Sequence, residues 1–229
     1  MTEIKAGNCY MCLKDVAGYD SFTKGKVYAS LYDNALINDN HIEVKVKNKE
    51  CSYIISDKYE GCAEGIILTS TIHPLKKKGY LSRFGKCFLL PSSFDDVHYY
   101  GRSGESYNDM KEQFIVKENV KKVLEMTEPN IKPQESGNRM DCLYAEVSSP
   151  NNKVSFIAVN KPYELGIKPY SDRALIDMKH IEDEKRTGTY VTIQALQQGI
   201  GTGSCGPLTA EEFKYPNNKD YQLKVLIKI

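Results

Sequence analysis

An all-β fold of antiparallel strands is the architecture this sequence predicts, and three observations predict it. Short runs rich in β-branched and aromatic residues recur along the chain, punctuated by Gly, Asn, Asp and Pro. Within those runs apolar and polar residues alternate with period two, as in a sheet that has one buried and one wet face. The chain also holds 16 tyrosines and no tryptophan. Tyrosine suits such a sheet, because it buries its ring and keeps its hydroxyl hydrated.

The first strands fall around Tyr10 to Val16 and Val27 to Leu31, with turn signals at Gly18-Tyr19-Asp20, Lys24-Gly25-Lys26 and Asn38-Asp39-Asn40. The cleanest alternation follows at Ile42–Lys47, Gly65–Ile72, Lys153–Val159, Tyr190–Leu196 and Tyr221–Ile229. In the last of these, Leu223, Val225, Ile227 and Ile229 share the face expected to be buried. Asn108 to Met126 is evenly balanced between helix and strand on its residues alone. Its charges and apolar residues mix at nearly helical spacing, yet Phe114, Val116, Val120 and Val123 are weak helix formers, and Pro129 and Pro133 force extended backbone soon after. A boundary between about residues 40 and 65 divides the chain into a small β-rich module, 1–60, of unassigned role and a larger β-sandwich, 61–229.

Composition excludes several function classes. Thirty-one Lys and Arg against 30 Asp and Glu leave a net charge of +1, which supplies no field for a polyanion, so no nucleic-acid partner is expected. Lys76-Lys77-Lys78 precedes Gly79 and reads as a solvated turn. No stretch has the length of a membrane span, and Met1 to Cys9 lacks the apolar core of a secretory signal, so a cytoplasmic protein with no membrane partner is expected. Seven cysteines cannot all pair with one another, which fits reduced thiols. Cys9-x-x-Cys12 with Cys51 and Cys62 has the ligand types of a four-thiolate zinc site but lacks the second short spacing. Buried structural thiols, with no metal and no cofactor, are therefore expected.

The segments carrying chemistry are loops. Tyr99-Tyr-Gly-Arg-Ser-Gly-Glu-Ser-Tyr-Asn-Asp109 combines two turn glycines with Glu105, Tyr107 and Asp109, groups able to tie a long loop to backbone N–H donors. Lys132-Pro-Gln-Glu-Ser-Gly-Asn-Arg139 places a left-handed Gly137-Asn138 beside Glu135 and Arg139, which are expected to share a charge-assisted hydrogen bond. Pro169-Tyr-Ser-Asp-Arg173, then His180 before an acidic stretch, and Gln197-Gln-Gly-Ile-Gly-Thr-Gly-Ser-Cys-Gly-Pro207 complete the set. The glycines at 199, 201, 203 and 206 do not make a phosphate loop, since no Gly-Lys-Ser/Thr follows and no helix opens behind them.

In this order the five landmarks resemble the C-terminal small-chain β-sandwich domain of family 2 β-galactosidases, from about residue 64 to 229. The resemblance implies a galactose mutarotase-like supersandwich, here truncated because residues 1–60 stand where the sandwich usually opens. It also tips Asn108–Met126 towards extended structure. In family members the glycine loop reaches towards the sugar site of the catalytic barrel, so the resemblance places Ser204 and Cys205 near a carbohydrate-facing rim. Cys205 stands where some members carry a stacking tryptophan. Arg102, Glu105, Tyr107, Asn138 and Arg139 are the other carbohydrate-binding candidates. The loop at Arg102-Ser-Gly-Glu105 is one residue shorter than usual, and Met110 stands where Arg is common.

A retaining glycosidase of this family needs two carboxylates about 5 Å apart at the mouth of a β/α barrel of roughly 250 residues, which this chain is too short to contain. The leading reading is therefore a non-catalytic domain that binds carbohydrate or has become a scaffold, with no catalytic residues of its own. The first alternative is a small subunit docking on a separate β-galactosidase large chain. The second is an aldose-1-epimerase-like enzyme using His98 as acid and Glu105 or Glu135 as base.

Overall fold

The computed structural model describes residues 53–199 and 208–229, together with the backbone of the strands at 9–11, 27–29, 36–38 and 41–48. The chain divides into two compact units, one of residues 1–79 and 217–228, the other centred on 80–216. The expected boundary at 60/61 falls inside a strand, β5, described next.

The first unit contains β1 (Cys9–Met11), β2 (Val27–Ala29), β3 (Leu36–Asn38), β4 (His41–Asn48), β5 (Tyr53–Cys62) and β6 (Gly65–Pro74). β1 pairs with β2, while β3, β4, β5 and β6 follow one another as antiparallel neighbours. The C-terminal strand of the chain, Tyr221–Lys228, returns to pair with β6. Alternation decides its faces: Leu223, Val225 and Ile227 are buried. Ile229, expected with them, lies just beyond the strand and is 74% exposed, because no pairing partner holds the terminal residue on the buried side.

The second unit is a sandwich of two four-stranded antiparallel layers. Its strands are β7 (Tyr80–Leu81), β8 (Arg83–Leu90), β9 (Asp96–Arg102), β10 (Val116–Lys122), β11 (Arg139–Cys142), β12 (Tyr144–Ser148), β13 (Lys153–Ala158), β14 (Tyr163–Lys168), β15 (Thr189–Gln197) and β16 (Tyr215–Pro216), and the C-terminal strand above is β17. One layer runs β10-β9-β12-β13 and the other β11-β14-β15-β8, with β7 and β16 forming a small ribbon. The inner faces supply Val97, Tyr99, Ala145, Val147 and Phe156 on one side and Phe84, Leu165, Ile167, Val191 and Ile193 on the other, all buried. Phe88 and Phe156 meet across the layers with ring centroids 5.0 Å apart.

The ambiguous stretch resolves as extended structure in its second half only, residues 108–115 being turns and bends. Residues 116–122 form β10 against β9, and a single 3₁₀ turn, Val123–Glu125, follows. Pairing with β9 satisfies a backbone that β-branched valines disfavour as helix. Among the described residues the only α-helix is the six-residue α1 (Asp172–Asp177), capped by the Ser171 hydroxyl accepting from the Ala174 N–H at 3.1 Å. No described helix is long and apolar enough to cross a membrane.

Candidate functional site

The register of β8, β15 and β14 sets three rows across the outward face of one layer. Gly85, Gln194 and Glu164 stand in the first, Cys87, Thr192 and Gly166 in the second, and Leu89, Tyr190 and Lys168 in the third. Period two sends Leu165, Ile167, Val191 and Ile193 into the core and these residues to the opposite side. All six positions of β14 are buried nonetheless. A glutamate and a lysine on such a strand need partners, since an unpaired buried charge costs several kcal/mol.

Lys168, with a side chain only 6% exposed, finds two carboxylates. Its Nζ donates to Glu135 Oε2 at 2.7 Å and to Asp172 Oδ1 at 3.0 Å. Arg83 spans the same pair, donating to Asp172 and lying 3.4 Å from Glu135 Oε2. Burial alone would raise the Asp172 carboxyl, but the cations of Lys168 and Arg83 outweigh it and hold it below the ordinary aspartate range. The second Glu135 oxygen accepts from Gln197 Nε2 at 3.4 Å. These groups form a half-exposed array of alternating charge in which Arg83, Glu135 and Asp172 keep 42%, 29% and 41% of their side-chain surface in contact with solvent.

Beneath it lies an amide network. Gln194 Nε2 donates to Gln197 Oε1 at 2.6 Å and to Asn138 Oδ1 at 3.4 Å, while Asn138 Nδ2 donates to Glu164 Oε2 at 2.6 Å and to the Ser106 carbonyl at 2.9 Å. The Gln197 N–H completes the set by donating to Glu164 Oε1 at 3.0 Å. Burial pushes the Glu164 carboxyl up to about 7 in spite of these two donors.

Five of the sequence-predicted site residues, Arg102, Glu105, Tyr107, Asn138 and Arg139, make hydrogen bonds within the protein. Arg102 closes the 103–115 loop, donating to the Phe114 carbonyl at 2.7 Å, the Lys111 carbonyl at 3.0 Å and Asp141 Oδ2 at 2.7 Å. Glu105 Oε1 accepts from the Tyr107 hydroxyl at 2.8 Å and the Gly137 N–H at 2.9 Å, which binds that loop to the turn carrying Asn138. Tyr107 is buried and its phenol is raised far above its usual value, first by burial and then by Glu105. Arg139 points inward, near Tyr99, and donates to the Asn138 carbonyl at 3.2 Å. The expected pairing of Glu135 with Arg139 is corrected: they project to opposite faces of the layer, so Glu135 takes Lys168 and Arg83 instead. Ser204 and Cys205 lie outside the described residues, as do the side chains of Cys9, Cys12 and Cys51. At the entry to their loop, Gly199 lies so close to the Asp109 carboxylate that a side chain there would collide with it.

The acid/base pair of the epimerase reading is not assembled. His98 lies on the outward face of β9 in the other layer, bonded to the Tyr144 hydroxyl at 2.8 Å. Glu135 is tied to Lys168 of the opposite layer, so one sugar ring cannot touch it and His98 together, while Glu105 is taken up by the Gly137 N–H and the Tyr107 hydroxyl.

The sequence profile of the β-galactosidase small chain matches residues 19–227. The chain belongs to that family. Similar full-length β-galactosidases include those of Staphylococcus xylosus, 30% identical over 154 residues, and Kluyveromyces lactis, 31% identical over 137 residues. Those matches cover 66% and 58% of this small chain but 15% and 13% of the two enzymes. Against relatives of this kind the chain therefore spans about one seventh of their length. A galactose mutarotase-like protein from Lactobacillus casei aligns with 89% of the small chain and 77% of its own length, at 13% identity and a TM-score of 0.44.

Sequence reasoning missed Lys168, Asp172, Arg83, Gln194 and Gln197. The signal was present in part. Tyr163-Glu-Leu-Gly-Ile-Lys168 alternates charged or small with apolar residues, and the Pro169–Arg173 landmark contains Asp172. What period two does not reveal is that the outward face of this strand is also covered.

Proposed function

We propose that this β-galactosidase small chain is a non-catalytic carbohydrate-binding domain whose ligand lies on the outward face of β8, β15 and β14. The observation that carries this reading is the preorganised run Arg83–Asp172–Lys168–Glu135–Gln197, which offers donors and acceptors side by side. Such an array suits vicinal hydroxyls, which both give and accept hydrogen bonds. Tyr190 and Leu89 border it and supply apolar surface for the C–H faces of a sugar ring. The same geometry speaks against hydrolysis. Glu135 and Asp172 share one lysine, and Asp172 is held in its ionised form, whereas a glycosidase needs one carboxyl kept protonated as the acid. Free thiols at Cys62, Cys87 and Cys142 favour a cytoplasmic setting.

The test is calorimetric titration with lactose and galactose. Binding in the millimolar range is expected, weakened about tenfold by Glu135→Gln, which removes one charge and keeps the shape. Heat of binding that is unchanged in Glu135→Gln would place the ligand elsewhere.

A second reading, docking on a separate large chain, is favoured by the apolar residues at one border of the array. Ile131 is 87% exposed and Ile176 73%, and the Ile131 carbonyl accepts from the N–H of Ile181 at 3.0 Å. Copurification of a barrel-containing chain from the native host, abolished by Ile131→Asp, is the result expected of it.

A further inference from the structure

The opposite outer face of the second unit carries a cluster that the array above does not use. Register across β13, β12, β9 and β10 places Ile157, Tyr144, Tyr100 and Glu118 in one row and Ser155, Glu146, His98 and Val120 in the next. A third row, Lys153, Ser148, Asp96 and Lys122, is wholly polar. The aromatic residues are therefore gathered in two adjacent rows rather than scattered. Their environment is ordered: the Tyr144 hydroxyl bonds His98, the two rings meet edge to face at 5.2 Å, and His98 Nε2 stands 3.9 Å from Glu118 Oε1. With its hydroxyl engaged, Tyr144 has chiefly a ring to offer. Val120 is 75% exposed beside them.

Charge narrows the occupant. Glu146 is balanced by Lys153 at 3.0 Å and Asp96 by Lys122 at 2.6 Å, which leaves Glu118, faced by His98, as the one carboxylate of these rows without a lysine and a surface with no positive field to draw a polyanion. Carboxylates within the patch do not suit a protein interface core, where Glu and Asp are depleted, or a membrane surface. What remains is a neutral ligand with apolar faces and hydroxyl edges. Register puts Glu118 in the same row as Tyr144 and Glu146 in the next, so carboxylates as well as rings face a ligand lying there.

We propose that the outward face of β10, β9, β12 and β13 is a second saccharide platform, on which a neutral oligosaccharide lies across Tyr100 and Tyr144. Three strand spacings, about 14 Å, separate β13 from β10, enough for a short oligomer rather than a monosaccharide. The platform shares no residue with the Lys168 array, so either can fail alone.

The experiment is amide-resolved NMR titration of the full chain with cellotetraose and with a β-1,4-galactotetraose, to about 20 mM. Shifts are expected at Val97–Gly101, Lys117–Val120 and Tyr144–Glu146, stronger for either tetrasaccharide than for the monosaccharide. Tyr144→Ala should weaken that binding at least tenfold. Glu118→Gln, at a side chain 69% exposed and so without consequence for folding, should weaken it about threefold. Lys168→Met should leave it unchanged while removing shifts on β8, β14 and β15. Saturation of those latter strands with no shift on β9, β10 and β12 would overturn the proposal, as would tetramethylammonium shifting the tyrosine rows more than the sugars do.

Discussion

Lys168 is the residue on which the charge balance of the candidate site turns. One ammonium, almost wholly removed from water, serves two carboxylates that would otherwise repel each other beside a buried strand. Lys168→Met keeps the aliphatic stem and removes the charge. It should cost about 2–4 kcal/mol in chemical denaturation, because Arg83 alone is left to both acids. Glu164 makes the opposite demand. Its carboxyl titrates near 7 in the folded chain and near 4.5 when unfolded, so between those values the folded state binds a proton that the unfolded state lacks. Stability should accordingly fall as pH rises from about 5 to about 8, by an amount on the order of 3 kcal/mol, and Glu164→Gln should flatten that slope. Urea denaturation of both proteins at the two pH values checks it. Asp172 acts in the reverse sense: its lowered carboxyl contributes stability above the ordinary aspartate range that is lost as the solution becomes more acid.

At the scale of elements, the site depends on how two loops are fastened. Gly137 holds φ +81°, and a Cβ there would run into the Met126 carbonyl. Gly137→Ala should therefore destabilise by about 2–3 kcal/mol and loosen Asn138, which differential scanning calorimetry and loss of amide protection at Ser106 would register. Arg102→Ala should release the 103–115 loop without unfolding the sandwich, seen as faster hydrogen exchange confined to that loop. These are also the places where the sequence was legible. Alternating strands such as Lys153–Ala158 and Thr189–Gln197 follow directly from period two, and Gly137 takes the left-handed backbone expected of it, whereas Asn138 does not and no hairpin forms there. The Asn108–Met126 stretch was not legible from residues alone, because tertiary pairing with β9 decides it. The candidate residues Arg102, Glu105 and Tyr107 were conspicuous for their loop chemistry, and in the fold they bond to backbone, to Asp141 and, for the last two, to each other. Lys168 and Gln197 sit inside ordinary strand patterns, and only the meeting of three strands with the 131–138 segment gives them partners.

For the molecule as a whole, membership of the β-galactosidase small-chain family fixes the kind of scaffold, and the physical question is what that scaffold does by itself. The second unit has two outer faces with different chemistry. One carries a charged and amide array on β8, β15 and β14, the other a tyrosine-rich surface on β9, β10 and β12. On the first of these faces the carboxyl raised towards neutrality, Glu164, is buried and taken up by Asn138 and the Gln197 N–H, so it is not open to a glycosidic oxygen. Binding without turnover is the behaviour we propose for the chain. The most direct measurement is an NMR titration of the intact chain with lactose, following amide shifts and free glucose in the same samples. Saturable shifts are expected at Arg83, Cys87, Lys168, Thr192 and Gln197, with a dissociation constant on the order of 1 mM and no glucose released. Glucose accumulating with time, or no shift at those five residues at about 50 mM lactose, would contradict it.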